Sequence, residues 1–199
     1  MSSLVVSGDT SGSVTIAAPA VAGTPTLTLP TTSGKILTSA STINAITSGT
    51  AQASTSGTSI DFTGIPSGVK RVTVMFSGVS TNGTSVHQIQ LGAGSVTTSG
   101  YAVSSGLYGG SYGGQTATSG FIFSSWNNTG NLFTGVFTFC LLGSNTWIGT
   151  GIFVPEGQAY QSTTSGKIVL GGTLDRVRYT TVNGTDTFDA GSINILYES

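Results

Sequence analysis

The chain has 199 residues, of which only 7% are charged: six basic and seven acidic, beside 30 glycines and one cysteine. Soluble domains usually carry about 25% charged residues. Here apolar residues reach 37% and mean hydropathy is positive, which excludes the charged, weakly apolar profile of a disordered chain. Six scattered basic residues exclude a phosphate-tracking surface for nucleic acid. No apolar run approaches the length of a membrane-spanning helix, and one cysteine excludes an internal disulfide.

Residues 1–50 hold two charges, Asp9 and Lys35, and no aromatic residue. Such a segment is poorly equipped to build a core and reads as an extended arm. Two short runs in it alternate apolar residues with Thr: Val14 and Ile16 about Thr15, and Leu27 and Leu29 about Thr28. Alternation between Gly and Pro punctuation predicts short strands. Strands this short need something to pack against, so Val14, Ile16, Leu27 and Leu29 are expected to attach the arm to a partner or to identical copies. Residues 42–46 read as a helical turn, and 48–59 as a linker of small polar residues. The start lacks the basic and apolar regions of a secretory leader, so synthesis in a cytoplasm is expected.

From Ile60 aromatics and charges appear together, and the expected domain covers 51–199. Val72, Val74 and Phe76 alternate with Arg71, Thr73 and Met75. Asn82-Gly83 predicts a tight hairpin, with Val86–Leu91 returning. The Gly-rich stretch 92–120 reads as a loop excursion. Core strands are expected at Phe121–Phe123, Phe133–Leu142, Trp147–Val154 and Lys167–Leu170, with Cys140 as a small buried apolar residue. Val177 and Tyr179 share a face, Asn183-Gly184 signals a second hairpin, and Ile193, Ile195 and Tyr197 share a face of the last strand. Eight to ten short strands without helical periodicity predict an all-β fold: an extended N-terminal arm, then an antiparallel, jelly-roll-like β-sandwich.

Two ends of the chain carry a resemblance. Gly8-Asp9-Thr10-Ser11-Gly12, Ala18-Pro19, Ala22-Gly23-Thr24 and Leu27-Thr28-Leu29-Pro30 with Gly34 resemble the attachment and trimerisation segment of bacteriophage fibre-type virion proteins. Leu174–Arg178 and Thr181–Glu198 resemble the C-terminal head domain of such proteins. The resemblance implies a homotrimer in the virion, contacts with other virion proteins of tail or capsid, and display of the head toward a host-surface glycan or receptor. A capsid decoration protein or head fibre is the alternative within the same architecture.

Catalysis has little to draw on. His87 is the sole histidine, no nucleophile-elbow pattern accompanies it, and it reads as a hydrogen-bonded strand residue. The acidic residues Asp61, Glu156, Asp175, Asp186, Asp189 and Glu198 form no clear glycosidase pair, so an enzyme, in particular a glycan depolymerase, is not expected. No cofactor or metal site is expected, although Asp186 and Asp189 are the nearest approach to one. Asn82-Gly83-Thr84, Asn127-Asn128-Thr129 and Asn183-Gly184-Thr185 read as turns. The strongest binding signal is the mixture of Tyr, Ser and Gly around Tyr101, Tyr108 and Tyr112, a combination that suits adaptable contact surfaces. Trp126 and Tyr160 are expected on neighbouring turns. These five aromatics are the receptor-binding candidates; the competing reading is that the tyrosines cover the core or fill a trimer interface.

Overall fold

A computed structural model describes residues 3–7, 13–17, 23, 46–109, 113–123 and 129–199. The chain divides into two compact units, Met1–Ile43 and Asn44–Ser199. In the first, β1 (Ser3–Ser7) and β2 (Ser13–Ala17) form an antiparallel hairpin in which Ser3 faces Ala17 and Ser7 faces Ser13. The Val14–Ile16 run is therefore a strand, but its partner is Ser3–Ser7. Leu27 and Leu29 lie outside the described residues.

The second unit is all β among its described residues. It begins with β3 (Ile46–Ser48) and β4 (Gln52–Ala53), which pair with the C-terminal strand β16 (Phe188–Glu198). Residues 46–50, grouped by composition with the arm, thus border the sandwich; Ile46 opens a strand rather than closing a helical turn. Then follow β5 (Ser59–Thr63), β6 (Arg71–Thr81), β7 (His87–Ala93), β8 (Ser95–Val96), β9 (Ala102–Tyr108), β10 (Gly113–Ala117) and β11 (Phe121–Ile122). The remaining strands are β12 (Phe133–Gly143), β13 (Thr146–Pro155), β14 (Gln161–Val169) and β15 (Arg176–Thr181). A nine-stranded antiparallel sheet runs β10-β9-β14-β13-β12-β6-β16-β3, with β4 also on β16. A five-stranded sheet runs β11-β7-β15-β5, with β8 on β7. The chain passes from one sheet to the other between β5 and β6, β6 and β7, and β15 and β16, as a jelly-roll-like sandwich requires.

The sheets close on an aromatic core. Phe76, Phe121, Phe123, Phe137, Phe139, Phe153 and Tyr179 are all buried and meet edge-on or offset, with centroids 4.8–5.8 Å apart. Glycine in β13 makes room for these rings. A Cβ on Gly151 would stand 2.3 Å from the Phe137 ring, and one on Gly149 would stand 2.7 Å from Phe121 and Phe139. Such close approach explains why so glycine-rich a chain still forms long strands. The same holds beyond the core: the stretch expected as a loop at 92–120 contains β8, β9 and β10, because Val103, Ser105 and Leu107 point inward while Ala102, Ser104, Gly106 and Tyr108 occupy the outward positions of β9.

Neither Asn-Gly pair closes a hairpin. The strands flanking each belong to different sheets, so both pairs sit in crossovers at one end of the sandwich. Gly184 does take a positive φ of 68°, with its N–H donating to the Thr181 carbonyl at 3.1 Å. Gly83 lies outside that region and serves close packing instead, since a Cβ there would fall 2.1 Å from the Asp186 carboxylate. Cys140 is exposed rather than buried, because β12 turns Phe137 and Phe139 inward and leaves Val136 and Cys140 outside.

Candidate functional site

The strand β7 reads His-Gln-Ile-Gln-Leu, and its alternation sends the two glutamines to the outside of the five-stranded sheet. His87, Ile89 and Leu91 face the core. His87 packs against Phe133, Tyr179 and Phe188, and its Nδ1 lies 3.0 Å from the Tyr179 hydroxyl. Burial pushes its pKa down to about 4, against weaker attraction from Asp186 and Asp189. It is a core histidine held neutral, with the Tyr179 hydroxyl as its hydrogen-bond partner.

Outside, cross-strand register lines up two polar rows: Asp61, Arg178 and Gln90, and beside them Ser59, Thr180 and Gln88. Arg178 grips Asp61 with two hydrogen bonds, Nε to Oδ1 at 2.7 Å and Nη2 to Oδ2 at 2.9 Å, and Ser59 donates to the same carboxylate. Gln88 and Gln90 are buried although they lie on an outward face. The segment after β10 covers them: Gln90 Nε2 donates to the Ser119 carbonyl at 2.9 Å, and the Ser119 hydroxyl donates to Gln88 Oε1 at 3.1 Å. Gln88 Nε2 donates in turn to the Thr181 carbonyl at 3.2 Å.

Over these rows lies a cleft of about 370 Å3, lined by Ser59, Gln88, Gln90, Thr98, Arg178 and Thr180 among others. A second hollow of about 460 Å3 adjoins it through Ser119 and Val182 and is lined by Ser85, Gln115, Thr116 and Ile122. The pair falls within the size range of ligand sites, and hydroxyls and amides share the lining about equally with apolar side chains such as Val86, Ile122 and Val182.

One end of this double cleft is braced by the two Asn-Gly crossovers. Asp186 accepts from the Ser85 N–H at 2.9 Å and from Asn183 Nδ2 at 2.6 Å. Asn82 and Thr187 exchange two hydrogen bonds, both 2.9 Å. Loops 82–86 and 182–187 therefore hold one another in place. Asp186 is engaged here, whereas Asp189 accepts from the Ser80 hydroxyl. Among the described residues no group of three His, Cys, Asp or Glu side chains converges as a metal site would require.

The aromatic candidates scatter. Tyr101 is a core residue: its hydroxyl donates to the Thr97 carbonyl and accepts from the Leu91 N–H, both at 2.9 Å, and burial pushes its pKa up to about 12. It pins β8 to β7 and offers no surface for a receptor. Tyr108 is 49% exposed and, with Val154, Gln158, Tyr160 and Gln161, lines a shallow groove on the larger sheet. Tyr112 and Trp126 lie outside the described residues. Among the described residues, the structure thus brings together Tyr108 and Tyr160. The residues of the polar cleft, Gln88, Gln90, Arg178 and Thr180, were signalled by no motif; the one trace in the sequence is the Gln-x-Gln alternation between buried apolar neighbours. No protein-family model matches the sequence, and no curated protein and no solved structure matches the chain.

Proposed function

We propose that this chain is a bacteriophage virion structural protein, a homotrimeric fibre or spike that attaches through its N-terminal arm and binds neutral host-surface glycans through its C-terminal β-sandwich. The resemblance of the two chain ends supports the virion setting, and the double cleft on the five-stranded sheet supports the ligand class. Sugar hydroxyls both donate and accept, so they suit a surface of amides and hydroxyls that does the same. The observation that carries the neutral class is the Arg178–Asp61 pair: the guanidinium at the cleft is already matched by a carboxylate, whereas an anionic glycan needs a cation left over. Asp61 and Arg178, half-exposed on neighbouring strands, also present planar groups at strand spacing, which fits a sugar ring laid against the sheet, with Gln90 at the covered end of the same row.

The test has two arms. Fluorescent full-length protein is titrated onto host cells and purified neutral surface polysaccharide, beside Ser59→Trp, which fills the cleft, and Gln90→Ala, which removes one amide. Binding weaker by at least tenfold in both variants supports the reading; full binding by folded Ser59→Trp overturns the cleft. Immunogold labelling of purified particles tests the virion setting separately, and label on the capsid shell rather than the tail would make the protein a head fibre or decoration protein.

A further inference from the structure

The outward face of the nine-stranded sheet has a different character. A sheet with one face in water normally alternates apolar inside with polar outside. In β13 that alternation fails. Trp147, Gly149, Gly151 and Phe153 point inward, yet Ile148, Thr150, Ile152 and Val154 point outward. Strands that read as apolar on both sides are normally covered on both sides.

Register shows that these residues form one patch. Val136 of β12 lies opposite Ile152, Cys140 opposite Ile148, and Thr134 opposite Val154. The row through Val136 and Ile152 continues to Met75 and Asn194 on one side and Thr163 on the other. The next row is Leu196, Thr73, Thr138, Thr150 and Ser165. Val136 is 44% and Ile152 52% exposed in the single chain. Charge of both signs enters at the two ends of the patch: along the third row Arg71 and Glu198 neutralise each other through two hydrogen bonds and Lys167 lies opposite Ile148, while at the other end the Glu156 carboxylate accepts from the Thr134 hydroxyl at 2.6 Å.

We infer that this face, centred on Val136, Ile148 and Ile152, is the surface through which copies of this chain associate. It deepens the proposed fibre by assigning its self-association to the sandwich, and it stands without the glycan reading. Two features favour a second copy as the occupant. First, a near-neutral face turned toward a threefold axis packs against the faces of two further copies without like-charge repulsion, whereas a foreign partner is usually selected by complementary charge. Second, the size fits. Five strands at about 4.8 Å spacing, crossed by the ten residues of β13 at about 3.3 Å each, span roughly 24 by 33 Å, or about 800 Å2. That is about the area each partner contributes to a standard stable interface. Cyclic association of identical chains through such a patch is the common solution.

The experiment is the solution mass of the full chain by light scattering, with thiol reactivity as a second reading. Wild-type protein is expected at a multiple of its 20.0 kDa chain mass. Val136→Asp/Ile152→Asp changes only outward side chains and is expected to run as a monomer with unchanged circular dichroism. Cys140, on the same face, should react with a maleimide at least tenfold faster in that variant than in the wild type. A monomeric wild type overturns the inference, as does a folded Val136→Asp/Ile152→Asp protein that keeps the oligomer mass. So does an Ile16→Ser/Leu27→Ser/Leu29→Ser chain that becomes monomeric while the sheet variant stays assembled, which places association in the arm. Particle labelling and glycan titration are unaffected by these outcomes, so failure here is distinguishable from failure of the proposed function.

Discussion

The outward faces of the two sheets share one aromatic core and the same period-two alternation, yet they end in opposite chemistries. On the five-stranded sheet the outward positions are Asp61, Arg178, Gln88, Gln90 and Thr180, partly roofed by the segment that ends at Ser119. On the nine-stranded sheet they are Val136, Ile148, Ile152, Met75 and several threonines, with no roof from the described residues. Charge does not separate the faces. Arg71 pairs with Glu198, Arg176 with Asp175 and Arg178 with Asp61. Exposed pairs of this kind add little stability, about 0–1 kcal/mol each. Their consequence is that both faces are close to neutral, so a chain with 7% charged residues distinguishes its surfaces by amide and hydroxyl against aliphatic. The comparison teaches a division of labour: the polar cleft suits a hydrated, polyhydroxyl ligand, and the aliphatic face suits a dry contact with itself.

If both faces hang on one core, breaking the core must remove both. Gly151→Val is the severest expected change, because the new side chain has no space beside Phe137. Overpacking of this kind costs about 1–3 kcal/mol and occasionally more, so glycan binding and assembly should fall together with the melting temperature. Loss of one alone would mean that the faces do not share a cooperative unit.

Acid gives a reversible version of that test. Burial holds His87 at a pKa of about 4, below its ordinary 6.5. The unfolded chain therefore binds a proton at higher pH than the folded one. The stability that neutral His87 contributes is fully present above pH 6.5 and is lost as pH falls toward 4, by about 3 kcal/mol. Urea unfolding at pH 7 and pH 4 should show His87→Gln losing about that much less than the wild type. Carboxylates titrate in both proteins, so the difference isolates the histidine. Equal losses in the two would show that His87 is not held neutral in the folded state.

Much of the interior was legible, because burial writes a period into the sequence. Val72, Val74 and Phe76, and Val177 and Tyr179, were each readable as one side of a strand, and both sets are buried. The outward sides were less so. Cys140 was misread because a strand apolar on both faces carries no period. The strands within 92–120 were missed because glycine normally weakens strands, whereas here Ser104 and Gly106 fill outward positions and the inward row of Val103 and Leu107 includes Ser105, whose hydroxyl accepts a hydrogen bond from Thr164. The Asn-Gly pairs gave turns correctly but not their destination, since a turn signal is local and the choice of sheet is set by what the next strand buries. The polar cleft is assembled from β5, β7, β15 and the segment before β11, four pieces that the sequence keeps far apart. Tyr101 shows the reverse error, a residue type suited to binding whose hydroxyl is consumed by Leu91 and Thr97.

The finest separation of the two faces lies in the crossovers. Asp186 ties loop 182–187 to loop 82–86 at one end of the cleft, and none of its partners lies in the rows of the aliphatic face. Asp186→Ala leaves the Ser85 N–H and Asn183 Nδ2 without their acceptor, a loss of about 1–2 kcal/mol. The fold should survive and the oligomer mass should stay unchanged, while affinity for neutral glycan falls severalfold as Ser85 and Val182 lose their fixed positions in the cleft wall. Isothermal titration and light scattering on one preparation read both quantities. A variant that lost assembly but kept glycan binding would exchange the roles of the two faces, because the brace touches only the polar one.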